Sequence, residues 1–170
     1  MTKTCLIAVL TFLICAQIRV DAVEDSVKPN VLSTLLDFVP PDTRLKRGGR
    51  WDPVGAELTT QAMKPAIGKP MEFVFRVEVV EPHQANGHAI LVRSKPASLR
   101  IADGTMPLFV WAYFPTESVP DLREVTRGSI ITATGILEKA EVELRGKDAS
   151  LVCNIIGCRA KPASLISLPQ

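Results

Sequence analysis

Residues 71–80 read MEFVFRVEVV, a run in which apolar side chains alternate with polar ones. One face of the run carries Phe73, Phe75, Val77 and Val79. The opposite face carries Glu72, Arg76 and Glu78. A period of two is typical of a β-strand with one face in the core of the protein. The run therefore predicts a strand whose phenylalanine face points inward.

Four more apolar runs follow this strand along the chain. They are HAILVRS at 88–94, LFVWAYF at 108–114, SIITATGIL at 129–137 and SLVCNIIGC at 150–158. Turn-forming residues lie between them, at Asn86-Gly87, Asp103-Gly104 and 145–148. One helix-like insert, VPDLREVTRG at 119–128, separates the third run from the fourth. The order predicts a mainly β fold, a five-stranded barrel with a short helix between strands 3 and 4, whose second strand is kinked at Pro96.

The first residues predict export. Lys3 precedes the apolar run LIAVLTFLIC at 6–15, and Val20-Asp21-Ala22 fits a signal-peptidase site. The run is too short to cross a bilayer, so we expect no transmembrane anchor. The chain then divides into a signal peptide (1–22), a partly flexible N-terminal arm (23–67), the barrel (68–161) and a C-terminal tail (162–170). We expect the mature protein in a periplasm or outside the cell.

The arm contains one apolar cluster and one basic cluster. The apolar residues, which are able to line a short helix that docks on a partner, are Val31, Leu35, Leu36 and Phe38. The basic residues are Arg44, Lys46, Arg47 and Arg50, and two glycines interrupt them. Such a cluster is usually a solvated flexible joint. It also permits cleavage by a secretory convertase or contact with a polyanion.

The composition points away from catalysis and from metal binding. Lys and Arg number 20 against 18 Asp and Glu, so the net charge of +2 draws the chain neither to nucleic acid nor to an anionic membrane. The two histidines, His83 and His88, flank a turn without further ligands in a zinc pattern. No nucleophile motif or phosphate loop occurs. We expect no enzyme activity, no cofactor and no metal.

Two of the four cysteines, Cys153 and Cys158, lie in the mature chain, and they leave two interpretations open. An exported pair of cysteines favours a disulfide. Five steps along a straight strand separate the Cα atoms by roughly 16 Å, and a bridge needs less than about 7 Å. The disulfide therefore requires a turn or bulge at Gly157. Without it, both thiols are buried packing residues.

The third run is ambiguous, because both of its faces are apolar. Phe109, Trp111 and Tyr113 share one face, and Leu108, Val110, Ala112 and Phe114 share the other. Aromatic rows are more often buried, which favours the aromatic face as core. If this face points outward, it forms a stacking platform of the kind that single-stranded nucleic-acid binders use, with Arg76 and Arg93 beside it.

The segments FRVEVVEP, ILVRS and LFVWAYF, followed by LREVTRGSIITATGIL, resemble the OB-fold nucleic-acid-binding superfamily. The resemblance covers roughly residues 68–161, and residues 122–135 carry most of it. It implies a Greek-key barrel with a ligand surface on strands two and three and on the loops after strands one and four. The residues that it assigns to the strands are Arg93, Lys95, Phe109, Trp111 and Tyr113. Those that it assigns to the loops are His83, Gln84, Asn86, Lys139, Arg145 and Lys147.

These observations predict an exported, non-catalytic binding module. The expected ligand is a polymer, either an oligonucleotide or a glycan, held on the surface of strands two and three. The alternative is a protein-interaction or structural protein that acts through the N-terminal arm. A neutral chain departs from the basic groove that tight nucleic-acid binding requires, and fold alone does not decide function.

Overall fold

The computed structural model describes residues 44–102 and 104–162. This part of the chain begins with a hairpin of two short antiparallel strands, β1 (Lys46–Arg47) and β2 (Arg50–Trp51). Gly48 and Gly49 form its turn with φ of 59° and 77°, a left-handed conformation that glycine adopts without strain.

Among the described residues one α-helix occurs, α1 (Pro53–Met63), and it follows the hairpin directly. Asp52 caps it by accepting a hydrogen bond from the Val54 amide, and a proline stands at the first helical position. A 3-10 turn (Lys64–Ala66) continues it. Leu45, Met63 and Ala66 are buried in the main core. This packing was not predicted from the sequence, in which the whole of 23–67 was assigned to an arm.

Six strands form the main sheet. They are β3 (Pro70–Ala85), β4 (His88–Ser94), β5 (Ala97–Ile101), β6 (Gly104–Pro115), β7 (Ile130–Arg145) and β8 (Asp148–Pro162). A 3-10 segment (Thr116–Leu122) connects β6 to β7. The predicted helix between these two strands is thus a 3-10 segment, and it begins earlier than VPDLREVTRG.

Strand pairing closes the sheet into a ring. β3 pairs with β4 along its second half and with β7 along its first half. β4 and β8 flank β6, with β8 parallel to it, and β7 runs antiparallel to β8. The predicted mainly β fold is confirmed, and the ring-like sheet is consistent with an OB-like fold.

The predicted kink at Pro96 is confirmed by the register. β4 and β5 both pair antiparallel with β6, at its 111–115 and 104–108 segments respectively. β4 and β5 are therefore two parts of one bent strand, which is interrupted at Lys95 and Pro96. The structure therefore counts six strands in the ring-like sheet, and two more in the hairpin, where the sequence predicted five.

A bulge in β8 explains how both of its cysteines face the core. Thr134 pairs with Arg159 and Ile136 with Ile156, so β8 holds one extra residue between these pairs. Gly157 supplies the required backbone with φ of 63°. The extra residue returns Cys158 to the inner face, where Cys153 also lies.

The core lies inside the ring and is lined by the inner faces of the strands. Phe73, Phe75 and Val77 of β3 are buried as predicted, whereas Val79 lies beyond a register shift and is half-buried. On β6 the buried residues are Met106, Leu108, Val110, Ala112 and Phe114. The expectation that the aromatic face of this strand forms core is therefore wrong, since the other face fills the ring.

Several predictions lie outside the described residues, among them the signal peptide at 1–22, the apolar cluster at 31–38 and the tail from 163. Within the described ranges, no helix has the length and apolar character needed to span a membrane.

Candidate ligand-binding groove

A row of aromatic side chains lies on the outer face of β6. Phe109, Trp111 and Tyr113 are each half-exposed, while the residues between them are fully buried. Residues two apart on a strand are separated by roughly 6.7 Å, so the three rings are spaced evenly along the surface. Ser94 supports this strand from the inside, since its hydroxyl accepts a hydrogen bond from the Val110 amide at 2.8 Å.

Polar side chains flank the row on both sides. Arg93 of β4 pairs directly with Trp111, and on the other side Asn154 of β8 does the same. Lys139 of β7 lies one strand further on, opposite Asn154. Directly paired residues place their Cβ atoms about 5 Å apart on one face of a sheet. Trp111 therefore lies between a guanidinium and an amide.

Two of these flanking side chains form ion pairs with neighbouring carboxylates. Arg93 contacts Glu81 at 3.5 Å, and Lys139 forms an ion pair with Glu141. Both pairs are substantially exposed, so each contributes little to stability and is open to exchange for a ligand. The Asn154 side-chain oxygen is buried and has no hydrogen-bond partner among the described residues. A ligand donor that reached this oxygen would satisfy it.

A groove of about 430 Å³ runs beside this row towards the turn between β7 and β8. The lining residues are Glu78, Arg93, Ser94, Pro107, Phe109, Trp111, Glu143, Arg145, Asp148, Ala149, Ser150 and Val152. Its size falls within the usual range of small-ligand sites. Three carboxylates and two guanidiniums line it, so its charge is mixed rather than basic. Arg145 binds Glu143 through two hydrogen bonds of 3.2 and 2.7 Å.

The other end of the aromatic row meets the turn between β3 and β4. The ring of Tyr113 packs against His83 and His88, with centroids 5.0 and 5.6 Å away. Burial raises the pKa of the Tyr113 hydroxyl above its ordinary value, and the nearby charge of Glu138 raises it further. The hydroxyl therefore remains protonated, and able to donate, at neutral pH.

The groove brings together only part of the predicted site. Arg93, Phe109, Trp111 and Arg145 line it. The predicted residues that do not line it are Arg76, His83, Gln84, Asn86, Lys95, Tyr113, Lys139 and Lys147. Of these, Tyr113 and Lys139 border the same face, as described above, and Lys147 is exposed in the turn after β7.

The acidic part of the groove was not predicted from the sequence. Glu143 and Asp148 belong to the hairpin of β7 and β8, and closure of the ring brings Glu78 of β3 to the same groove. One signal was present: Arg145 and Asp148 flank a predicted turn. Pairing β7 with β8 across that turn would have placed Glu143 beside Ser150.

The disulfide interpretation of Cys153 and Cys158 is wrong. Both cysteines are free and buried. Cys158 donates its thiol hydrogen to the Ile155 carbonyl at 3.3 Å, and burial raises the pKa of each thiol to about 12. The alternative interpretation, two packing cysteines, is the one that the structure supports. Among the described residues, no three side chains of His, Cys, Asp or Glu are grouped as a metal site.

Comparison with known proteins gives little further information. No protein-family model and no curated protein matches the chain. Among solved structures, a small single-stranded DNA-binding protein from Streptomyces coelicolor is similar over 52% of this chain and 87% of its own, at 18% identity and a TM-score of 0.32. A TM-score of this size does not establish a common fold, so the fold assignment depends on the strand pairing described above.

Proposed function

We propose that this chain is a non-catalytic binding module that holds a polymer along the aromatic row and groove of β6. One observation carries the proposal: Phe109, Trp111 and Tyr113 are half-exposed on a strand whose other face fills the core. Evenly spaced exposed rings offer contact to successive flat units of an extended ligand.

A single-stranded oligonucleotide is the ligand class that we favour. Its bases stack on aromatic rings whatever their sequence, and Arg93 and Arg145 supply guanidiniums to the lining of the groove. The buried oxygen of Asn154, beside Trp111, would accept a hydrogen bond from an amino group of a base.

Anisotropy of a fluorescein-labelled dT12 strand tests this function. Each stacked base contributes about 1–3 kcal/mol, so Trp111→Ala is expected to weaken binding roughly 5- to 150-fold. Val54→Ala is the matched control, because Val54 is an exposed apolar residue on α1, away from the groove. Equal affinities of the Trp111 variant and the wild type would contradict the proposal.

A neutral glycan is the second candidate, and the acidic residues of the groove favour it. Glu78, Glu143 and Asp148 repel phosphates, but they are good acceptors for sugar hydroxyls. Salt dependence separates the two ligands: binding of an oligonucleotide weakens steeply as salt rises, whereas binding of a neutral glycan does not. Titration with cellohexaose and with dT12 at several salt concentrations provides this comparison.

The absence of catalysis is part of the proposal and has its own test. Arg145 holds the Glu143 carboxylate through two hydrogen bonds, which supports a structural role for that acid. Labelled dT12 and cellohexaose are expected to remain intact after long incubation. Product formation that disappears in Asp148→Asn would show an enzyme instead.

We also propose that the protein is exported, on the basis of the N-terminal sequence alone. The expected mature protein begins near residue 23. Intact mass and N-terminal sequencing of protein recovered from its native cells test this, and a chain that retains residues 1–22 would contradict it.

A further inference from the structure

The hairpin of β1 and β2 carries a concentrated positive charge that the groove does not use. Arg44, Arg47 and Arg50 are exposed, and Lys46 is half-exposed beside them. Among the described residues, none of the three arginines forms an ion pair. Asp52, the nearest acid among the described residues in the sequence, caps α1 by accepting a hydrogen bond from the Val54 amide.

The hairpin is anchored to the core of the protein. The side chain of Leu45 is buried in the core, and its carbonyl accepts a hydrogen bond from the Asp52 amide at 2.8 Å. The Lys46 ammonium lies 4.6 Å from the centre of the Trp51 ring, a cation–π contact. The cations are therefore held on a fixed support, which reduces the entropy lost when they bind.

α1 packs against the chain at the start of the hairpin. Gly55, in its first turn, packs so closely on the backbone of Arg44 that a Cβ at this position would overlap the Arg44 carbonyl. This close contact fixes the backbone of Arg44 against the first turn of α1. Arg47 and Arg50 lie opposite each other across the turn, so the two guanidiniums share one end of the hairpin.

The hairpin lies close to the start of β6 in the main sheet. The ammonium of Lys46 approaches Gly104, the first residue of β6, and Pro107 on the same strand lines the groove. The groove itself has more carboxylates than guanidiniums, and an anionic backbone would find little counter-charge there. The hairpin supplies that charge at the start of β6.

We propose that this hairpin is a second binding site, which holds the phosphodiester backbone of a nucleic-acid strand through Arg44, Arg47 and Arg50. Guanidiniums bind phosphate oxygens in pairs of parallel hydrogen bonds, and such contacts need no base. The site therefore works without stacking on β6, and it does not depend on the groove having the function proposed above.

Anisotropy with two labelled strands tests the site in the full chain: dT12 and an abasic 12-mer of the same backbone. The variant is Arg47→Gln with Arg50→Gln. The control is Arg123→Gln with Arg127→Gln, which removes the same charge from two exposed arginines elsewhere. For single strands, log K falls with log salt by about 0.7 for each phosphate contact. With both strands, the slope of log K against log salt is expected to be smaller by about 1.4 in the hairpin variant than in the wild type, because two phosphate contacts are removed. The control variant is expected to keep the wild-type slope.

Three results would overturn the proposal. The first is that the hairpin variant binds both strands like the control variant. The second is that the wild-type protein does not bind the abasic strand at low salt. The third is that the wild-type protein binds dextran sulfate more tightly than it binds the abasic strand. The Trp111→Ala variant separates this site from the groove. If it binds both strands normally while the hairpin variant does not, the function proposed for the groove fails and the hairpin site stands.

Discussion

Gly135 lies where β7 faces the bulge of β8. A Cβ at this position would lie 2.7 Å from the Ile156 carbonyl oxygen and 2.8 Å from Cys158 Sγ. We expect Gly135→Ala to destabilise the protein by about 1–3 kcal/mol, since a backbone atom cannot move aside cheaply. Urea unfolding measures this. Thr134→Ala, at an exposed neighbour, is expected to change stability by less than about 0.5 kcal/mol.

The two core cysteines make stability fall at high pH. Burial raises the pKa of Cys153 and of Cys158 to about 12, against about 8.5 for a thiol in an unfolded chain. Between these values the unfolded chain has lost protons that the folded protein keeps, so alkali favours unfolding. The expected loss reaches about 1.4 kcal/mol per pH unit for each thiol.

Urea unfolding at pH 7 and at pH 10 measures this loss in the wild type and in Cys153→Ala with Cys158→Ala. The alanine variant is less stable at pH 7, but its decline towards pH 10 is expected to be smaller than that of the wild type. A thiol reagent at pH 8 is also expected to label the cysteines only after unfolding. Rapid labelling of the folded protein would contradict the burial of the thiols.

At the scale of the element, β6 divides its side chains between the core and the groove. Leu108 is fully buried, whereas its neighbour Phe109 is half-exposed. Leu108→Ala is therefore expected to cost about 2–5 kcal/mol in unfolding free energy, and Phe109→Ala clearly less, although phenylalanine is the larger residue. Thermal or urea unfolding compares the two, and the opposite order would mean that the aromatic face is core.

The sequence predicted β6 as a strand but not its orientation. Both faces of LFVWAYF are apolar, so periodicity alone carried no information about which one enters the core. In β3, by contrast, Glu72 and Glu78 marked one face as polar, and the inward direction of Phe73, Phe75 and Val77 was predicted correctly. The bulge at Gly157 that the disulfide required is present and brings Cys158 to the same face as Cys153, yet both thiols are free. A bulge depends on the partner strand, which local sequence does not specify.

At the scale of the whole molecule, the prediction of a mainly β fold succeeded because each strand carries its own turn signals. The start of α1 is marked by local signals, but its packing against the sheet is not. Its cap, Asp52 followed by a proline, is a recognisable helix start. α1 contacts β7 through Thr60, whose hydroxyl accepts a hydrogen bond from the Val142 amide, 82 residues away in the sequence. Long-range contacts of this kind appear only when the ring is closed.

The boundary at which the fold begins follows from this contact. A fragment 44–162 keeps the hairpin and α1, whereas 68–162 begins where the sequence placed the barrel. The shorter fragment loses Leu45, Met63 and Ala66 from the core. Met63 is fully buried, and truncating such a residue alone costs about 2–5 kcal/mol, a large part of the 5–15 kcal/mol typical of a domain.

We expect 44–162 to unfold cooperatively in urea and 68–162 to lack a cooperative transition. Met63→Ala in the full chain is the intermediate case, expected to fold with reduced stability. If 68–162 unfolded at the same urea concentration as 44–162, then the hairpin and α1 would be additions to a complete domain rather than part of its core.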